Sequence, residues 1–228
     1  LFGNINEGGM VMPTVLTEGK YLNDWLKWEM ENNQSREVVT VLAGQKLAMG
    51  AVVGKITVGV VPTTGTAGTN TGGGTCASVT GGPATKVGVY ELTCVAVVSG
   101  GGVFSVKDPD GLGLPNAYVG QAYTNPAINF TLTDGTPDFA LGDGFRIVVP
   151  AGSGKVKALD FGAIDGSADA YGVMISGVDA TDTDGMDRKG VAIVRDAQIV
   201  ADGLVWPVDA TENQKAAGMM QLEKKGCR

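Results

Sequence analysis

The chain has 228 residues, 43% of them hydrophobic, with 24 acidic and 17 basic side chains, no histidine and a formal net charge of -7. That length allows two domains with cores large enough to fold without covalent staples, and the apolar share excludes a disordered chain. The acidic balance disfavours direct nucleic-acid binding, and the missing histidine removes Ser-His-Asp triads, His-assisted cysteine nucleophiles and histidine zinc ligation.

Glycine, at 36 residues, is roughly double the usual share of about 7%. It has no three-residue period, so turn-dense β structure is expected rather than a collagen-like rod. Residues 1 to 20 mix Gly, Asn and scattered apolar side chains without a period, as in an arm that orders on a partner. The start Leu1-Phe2-Gly3-Asn4 lacks a basic region ahead of an apolar one and does not read as a signal peptide. No stretch approaches the roughly 20 apolar residues that cross a bilayer, so no membrane contact is expected.

Leu22, Trp25, Leu26 and Glu29 follow helical spacing, with Asn23 or Asp24 placed to cap the helix. Trp25 and Trp28 would then stand one turn apart, either packed on their own domain or anchoring a neighbouring subunit. From Arg36 the pattern alternates, Val39 and Val41 on one face and Val38 and Thr40 on the other, before the turn Ala43-Gly44-Gln45. Ala51 to Ile56 reads as a second strand. Gly59 to Gly74 is Gly/Thr-rich and marks a domain boundary.

Beyond it, Tyr90, Leu92, Cys94, Ala96 and Val98 alternate with Glu91, Thr93, Val95 and Val97, Ile128, Phe130 and Leu132 with Asn129, Thr131 and Thr133, and Phe145, Ile147 and Val149 with Arg146 and Val148. An antiparallel sandwich over 58 to 153 is predicted. Six Asp-Gly pairs, starting at Asp110, Asp134, Asp143, Asp165, Asp184 and Asp202, predict tight turns with glycine at positive φ.

After Gly154, strands are expected at Val156 to Phe161, Tyr171 to Val178 and Val191 to Val200. Pro207 cannot donate to a ladder and biases Trp206 away from helical angles, which separates the last strand from a helix. Asp209 or Thr211 would cap that helix, with an apolar stripe of Ala216, Met219, Met220 and Leu222. Gly226 suits its stop, and Lys224 and Lys225 complement its dipole.

Candidate chemistry is sparse. Cys76, Cys94 and Cys227 are an odd set without framework spacing and are expected as free thiols of a reducing compartment, a Cys76 to Cys94 bridge being the alternative. Ala151 to Val156 superficially suggests a phosphate loop, but Val149 stands where its first glycine belongs and Val156 where Ser or Thr belongs. Asp179, Asp182, Asp184 and Asp187 are the best metal candidates. They miss the calcium-loop register and are expected in a solvated turn. Asp108 and Asp110 sit in Lys107-Asp108-Pro109-Asp110-Gly111, again a turn, and not as the flanking pair that glycoside cleavage needs. Tyr118 and Tyr123 offer either edge-strand packing or an aromatic platform for a sugar. No catalytic, cofactor-binding or metal-binding residue is assigned, and no enzyme activity or cofactor is expected.

Two distant stretches read as halves of one small β domain. Ser35 to Val41 with Gly44 to Ile56 forms the first, and Gly154-Lys155-Val156 through Leu204-Val205-Trp206-Pro207 to Lys224-Lys225-Gly226 the second. This order resembles the head decoration proteins of lambda-type tailed bacteriophages. Val119-Gly120, Asn125 to Thr131, Asp134-Gly135, Phe139 and Gly142 to Phe145 also look like an accessory β insert that recurs in such proteins.

The resemblance implies a mainly β protein: a small β-barrel or β-tulip-like decoration domain with short helices, interrupted by an inserted antiparallel β-sandwich. Residues 35–57 plus 154–228 would form the decoration domain, 58–153 the insert, and 1–34 an arm with a short helix that contacts the capsid. It further implies a homotrimer at threefold positions on the outer surface of the virion, made in the host cytoplasm, binding the major capsid protein and cementing the expanded capsid. Leu22, Trp25, Trp28, Arg36, Trp206 and Pro207 are the candidate capsid or trimer interface. An adhesion module whose insert binds a glycan or host surface ligand is the alternative from another class.

Overall fold

The computed structural model describes residues 19–31 and 34–228. Of the predicted arm, residues 1 to 20, all but the last two lie outside them. A short helix α1 (Leu22–Trp25) leads directly into β1 (Leu26–Glu29), followed by β2 (Arg36–Val41), β3 (Lys46–Leu47) and β4 (Val52–Lys55). Then come β5 (Thr66–Ala67), β6 (Thr75–Gly81), β7 (Gly88–Val98), β8 (Gly101–Lys107), β9 (Gly113–Tyr118), β10 (Ala122–Tyr123), β11 (Ile128–Thr133) and β12 (Gly144–Val149). The chain finishes with β13 (Val156–Ala158), β14 (Ala170–Met174), β15 (Val178–Asp179), β16 (Arg188–Ile193), β17 (Ala197–Ile199) and helix α2 (Glu212–Glu223).

β13, β2, β16, β14 and β4 close, in that order, into a barrel built from both ends of the sequence. The alternation read from the sequence sets its faces: Val39 and Val41 are buried, while Val38 is 67% exposed. The intervening strands form a three-stranded sheet, β10-β11-β6, and a five-stranded one, β5-β12-β7-β8-β9. Their inner faces meet in one cluster drawn entirely from residues 58 to 149, including Tyr90, Leu92, Phe104, Ile128, Phe130, Phe139 and Ile147. Phe139 stands edge-on to Phe104 with centroids 5.0 Å apart, the offset geometry that aromatic quadrupoles favour. Two further clusters come from the remaining residues, one around Trp25, Val173, Ile193 and Leu222, the other inside the barrel around Val41, Val53 and Met174.

The chain leaves and rejoins the barrel as one continuous antiparallel ladder. Val156 pairs with Lys55 and Val58 with Ala151, while Gly152 and Gly154 donate to the carbonyls of Thr57 and Ile56, each at 2.9 Å. The segment Ala151 to Val156 is thus backbone paired with the outgoing chain, and its lysine, Lys155, pairs with Asp187 at 2.7 Å.

Several expectations are corrected. The helix predicted through Glu29 stops at Trp25, because Leu26 is taken up by a ladder to Ile199. Trp28 therefore sits on a strand. Its start is closed by Asp24, whose carboxylate accepts from the Tyr21 N–H at 2.8 Å. The strand expected from Val191 to Val200 is broken by Asp196, held at φ 45°. Val156 to Phe161 is a strand only to Ala158, and Tyr171 to Val178 divides into β14 and β15. In β7 a bulge between Cys94 and Ala96 ends the buried face, leaving Val97 and Val98 exposed.

Of the six Asp-Gly glycines, Gly111, Gly166 and Gly185 have positive φ. The others are glycine for close approach instead. A Cβ on Gly135 would lie 2.3 Å from the Gly73 carbonyl carbon, and one on Gly203 would lie 2.6 Å from Trp25 Cβ.

α2 begins as predicted, with Thr211 and Gln214 forming a reciprocal capping box. Its buried face differs from the expected stripe. Gly218 and Leu222 are buried, Met219 is half-buried, and Ala216 and Met220 face outward. Trp206 explains this, since a Cβ on Gly218 would lie 2.6 Å from its ring. The six-membered ring of the indole sits against the helix where glycine leaves room.

Candidate functional site

The structure gathers three of the six candidate interface residues around one cluster. Trp25 is 0% exposed, walled by Gly50 and Gly203, and Leu22 and Trp206 pack against the same cluster half-buried. Pro207 follows Trp206 along the rim of a cavity of about 520 Å³ that Phe161 and Asp209 also line. Arg36 is half-buried and spans Glu29 bidentately, its Nε donating to Oε2 at 2.7 Å and its Nη2 to Oε1. Trp28, on the same short strand as Glu29, is 49% exposed. Trp25 and Trp28 thus do opposite things: one fills a core, the other presents half an indole to solvent.

The carboxylate candidates resolve into turn chemistry. Asp179 pairs with Lys46 at 2.8 Å and Asp187 with Lys155 at 2.7 Å, while Asp182 and Asp184 share Arg188 at 2.9 and 2.6 Å. Among the described residues no group of acids and cysteines has metal-holding geometry. Asp108 is buried and accepts from the backbone N–H groups of Asp110 and Leu112, with Lys86 bridging it to exposed Asp110 at 2.6 Å on each side. The Lys86 ammonium, hydrogen-bonded to it, holds the Asp108 carboxyl below its ordinary range.

Cys76, Cys94 and Cys227 are free and buried, and burial pushes the Cys76 thiol up to about 11. Such thiols are poor nucleophiles at neutral pH. The aromatic platform does not form. Tyr123 is buried and stacked on Phe130 at 4.5 Å, whereas Tyr118 is exposed.

One feature carried no signal in sequence. Lys55 of β4, Tyr171 of β14 and Lys225 just past α2 meet beside a cleft of about 430 Å³, also lined by Lys224 and Gln221. Both ammonium groups lie over the Tyr171 ring, at 4.5 and 4.9 Å from its centroid. Lys225 donates to the Ala170 and Tyr171 carbonyls at 2.7 and 3.0 Å. Burial is the main cause that lowers its pKa. It therefore does more than complement a helix dipole. Lys55 donates to the Tyr171 hydroxyl, which donates to Glu37.

No described helix is long and apolar enough to cross a membrane. A comparison with curated proteins finds no match. Two crystal structures of Xanthomonas campestris FlgL are similar at 15% and 14% identity, with TM-scores of 0.31 and 0.30. The matches cover 78% and 82% of this chain but only 44% and 43% of the other, and likeness at that level informs neither fold nor function. The comparison with protein families matches residues 15–227 to bacteriophage lambda head decoration protein D. That match runs through both halves of the barrel, the intervening sheets and the Trp206-Pro207-α2 segment, and the chain belongs to the bacteriophage lambda head decoration protein D family.

Proposed function

We propose that this protein is a structural component of a phage head, bound as a homotrimer to the major capsid protein at threefold positions on the outer face of the expanded shell. The observation that carries this reading is the family match over residues 15–227. The reading needs no chemistry, and the carboxylates of the Asp108 to Asp110 and Asp179 to Asp187 segments are engaged in turns and ion pairs. Attachment is assigned to residues 1 to 34, with Trp28 as the exposed anchor. Three attachments per trimer multiply a modest affinity into firm seating, because each later contact is intramolecular.

Removing residues 1 to 20 is expected to leave a folded protein that no longer co-sediments with expanded heads. Unchanged occupancy would contradict that assignment. Wild-type protein is expected to bind expanded heads and not unexpanded ones, and failure to bind either would overturn the reading as a whole.

We further propose that 35–57 plus 154–228 is one folding unit and 58–153 another. The hydrogen-bonded ladder across Ile56, Thr57, Gly152 and Gly154 supports this, since the chain departs and returns at adjacent points. Excising 58–153 with a short linker is expected to preserve both a cooperative unfolding transition and head binding. A folded deletion variant that does not bind heads would refute the division of labour.

A further inference from the structure

α2 presents different charge at its two ends. Beside its first turn stand Asp202 and Asp209, both exposed, and among the described residues neither forms an ion pair. Glu212, at the same end, is already neutralised by Lys215 at 2.8 Å, and the Lys20 ammonium donates to the Gly203 carbonyl. Past the last turn lies the lysine cleft. There Lys224 is exposed and unpaired, and Lys225 donates only to carbonyls. Of the nearby acids, Asp169 accepts from Gln221 at 2.7 Å and Glu37 from Tyr171 and Arg195. Glu223, exposed and next to Lys224 in sequence, leaves this end with a net positive charge only through the two lysines together. Between the two ends Met220, 56% exposed, points outward from the helix, and Val208 next to Asp209 is fully exposed. Methionine is among the side chains enriched at protein interfaces.

We propose that two copies of this chain meet head to tail along α2, with Lys224 at the mouth of the lysine cleft of one copy receiving Asp209 and Asp202 of the next. The contact joins two different patches on each subunit, so it is heterologous and closes into a ring when the rotation between copies allows. It rests on the homotrimer proposed above and names the surface that would build it. The occupant is a second copy because the complementary carboxylates are present in this same chain, unpaired, at the far end of the same helix. In a chain of net charge -7, such local complementarity also sets the register against general repulsion.

Twelve residues of helix, at about 1.5 Å each, separate the two ends by roughly 18 Å. A zero-length carbodiimide link between Lys224 and Asp209, which precedes the helix, therefore cannot form within one copy. Coupling of purified protein and of decorated heads, read by peptide mass spectrometry, is expected to give that link. Lys224→Glu and Asp209→Lys are each expected to weaken trimer formation roughly tenfold, and the double variant to restore it. Heads decorated by trimers that lack the link and ignore both single reversals would overturn this contact and leave the head-binding reading standing. A chain that is monomeric both in solution and on heads would overturn the trimer and the contact together.

Discussion

Trp25→Ala is expected to destabilise the protein by about 4 kcal/mol, the cost typical of deleting a fully buried large aromatic. Trp28→Ala, three positions later, is expected to move stability by less than about 0.5 kcal/mol, as surface changes do. The contrast follows from burial, 0% against 49%. Trp25 sits between Gly50 and Gly203, and a Cβ on Gly203 would already lie 2.6 Å from Trp25 Cβ. Backbone that close cannot collapse into the vacated space, so the cavity persists and its cost is fully felt. Urea unfolding measures both effects. Head binding should rank the two residues the other way, with Trp28→Ala weakening it in a folded protein. A stable Trp25→Ala variant would show that the indole does not hold this core together.

Asp143→Ala is expected to cost a similar amount, about 4 kcal/mol, but in the sheets between β4 and β13. The Asp143 carboxylate is buried and accepts the backbone N–H groups of Thr71, Gly72 and Ala140 at 2.8, 2.9 and 2.9 Å. Removing it strands three donors, each worth about 1 to 3 kcal/mol when left unsatisfied and less than additive together. Burial alone would raise this carboxyl, yet the three donors outweigh it and hold the pKa below the ordinary aspartate value. The stabilisation is thus complete above roughly pH 4 and is lost as the pH falls through the folded-state value. The substitution should remove that part of the acid sensitivity as well. All three tryptophans, Trp25, Trp28 and Trp206, lie outside residues 58 to 153. Tryptophan fluorescence should therefore report an unchanged transition while circular dichroism reports an earlier one. Coincident shifts in both signals would mean that the two parts unfold as one.

Much of the fold was legible wherever a single local rule governed. Alternation placed Val39 and Val41 inside the barrel and Leu92, Phe130 and Ile147 inside the sandwich. Capping chemistry placed the start of α2. Where long-range pairing overrode local preference, the reading failed. Leu26 has helical spacing behind it but a strand partner, Ile199, more than 170 residues away. The outward turn of Met220 followed from an indole resting on Gly218, which no periodicity contains.

The candidate site divides in the same way. The Trp206-Pro207 step was visible because proline acts locally. The Lys55, Tyr171 and Lys225 cluster was invisible because three elements far apart in sequence assemble it. The four aspartates from Asp179 to Asp187 were visible as a cluster. Their partners Lys46 and Lys155, which make it a closed set of ion pairs, were not.

The ladder joining β4 to β13 constrains the order in which the chain can fold. If those strands pair while the intervening residues are still unstructured, they must close a loop of about a hundred residues. If the sandwich forms first, its ends already lie side by side and the loop shrinks to a few residues. Closure entropy grows by about 0.6 kcal/mol per doubling, so the difference is roughly 2.5 kcal/mol. The segment that interrupts the barrel in sequence is thereby the one whose early collapse makes the barrel cheapest to close.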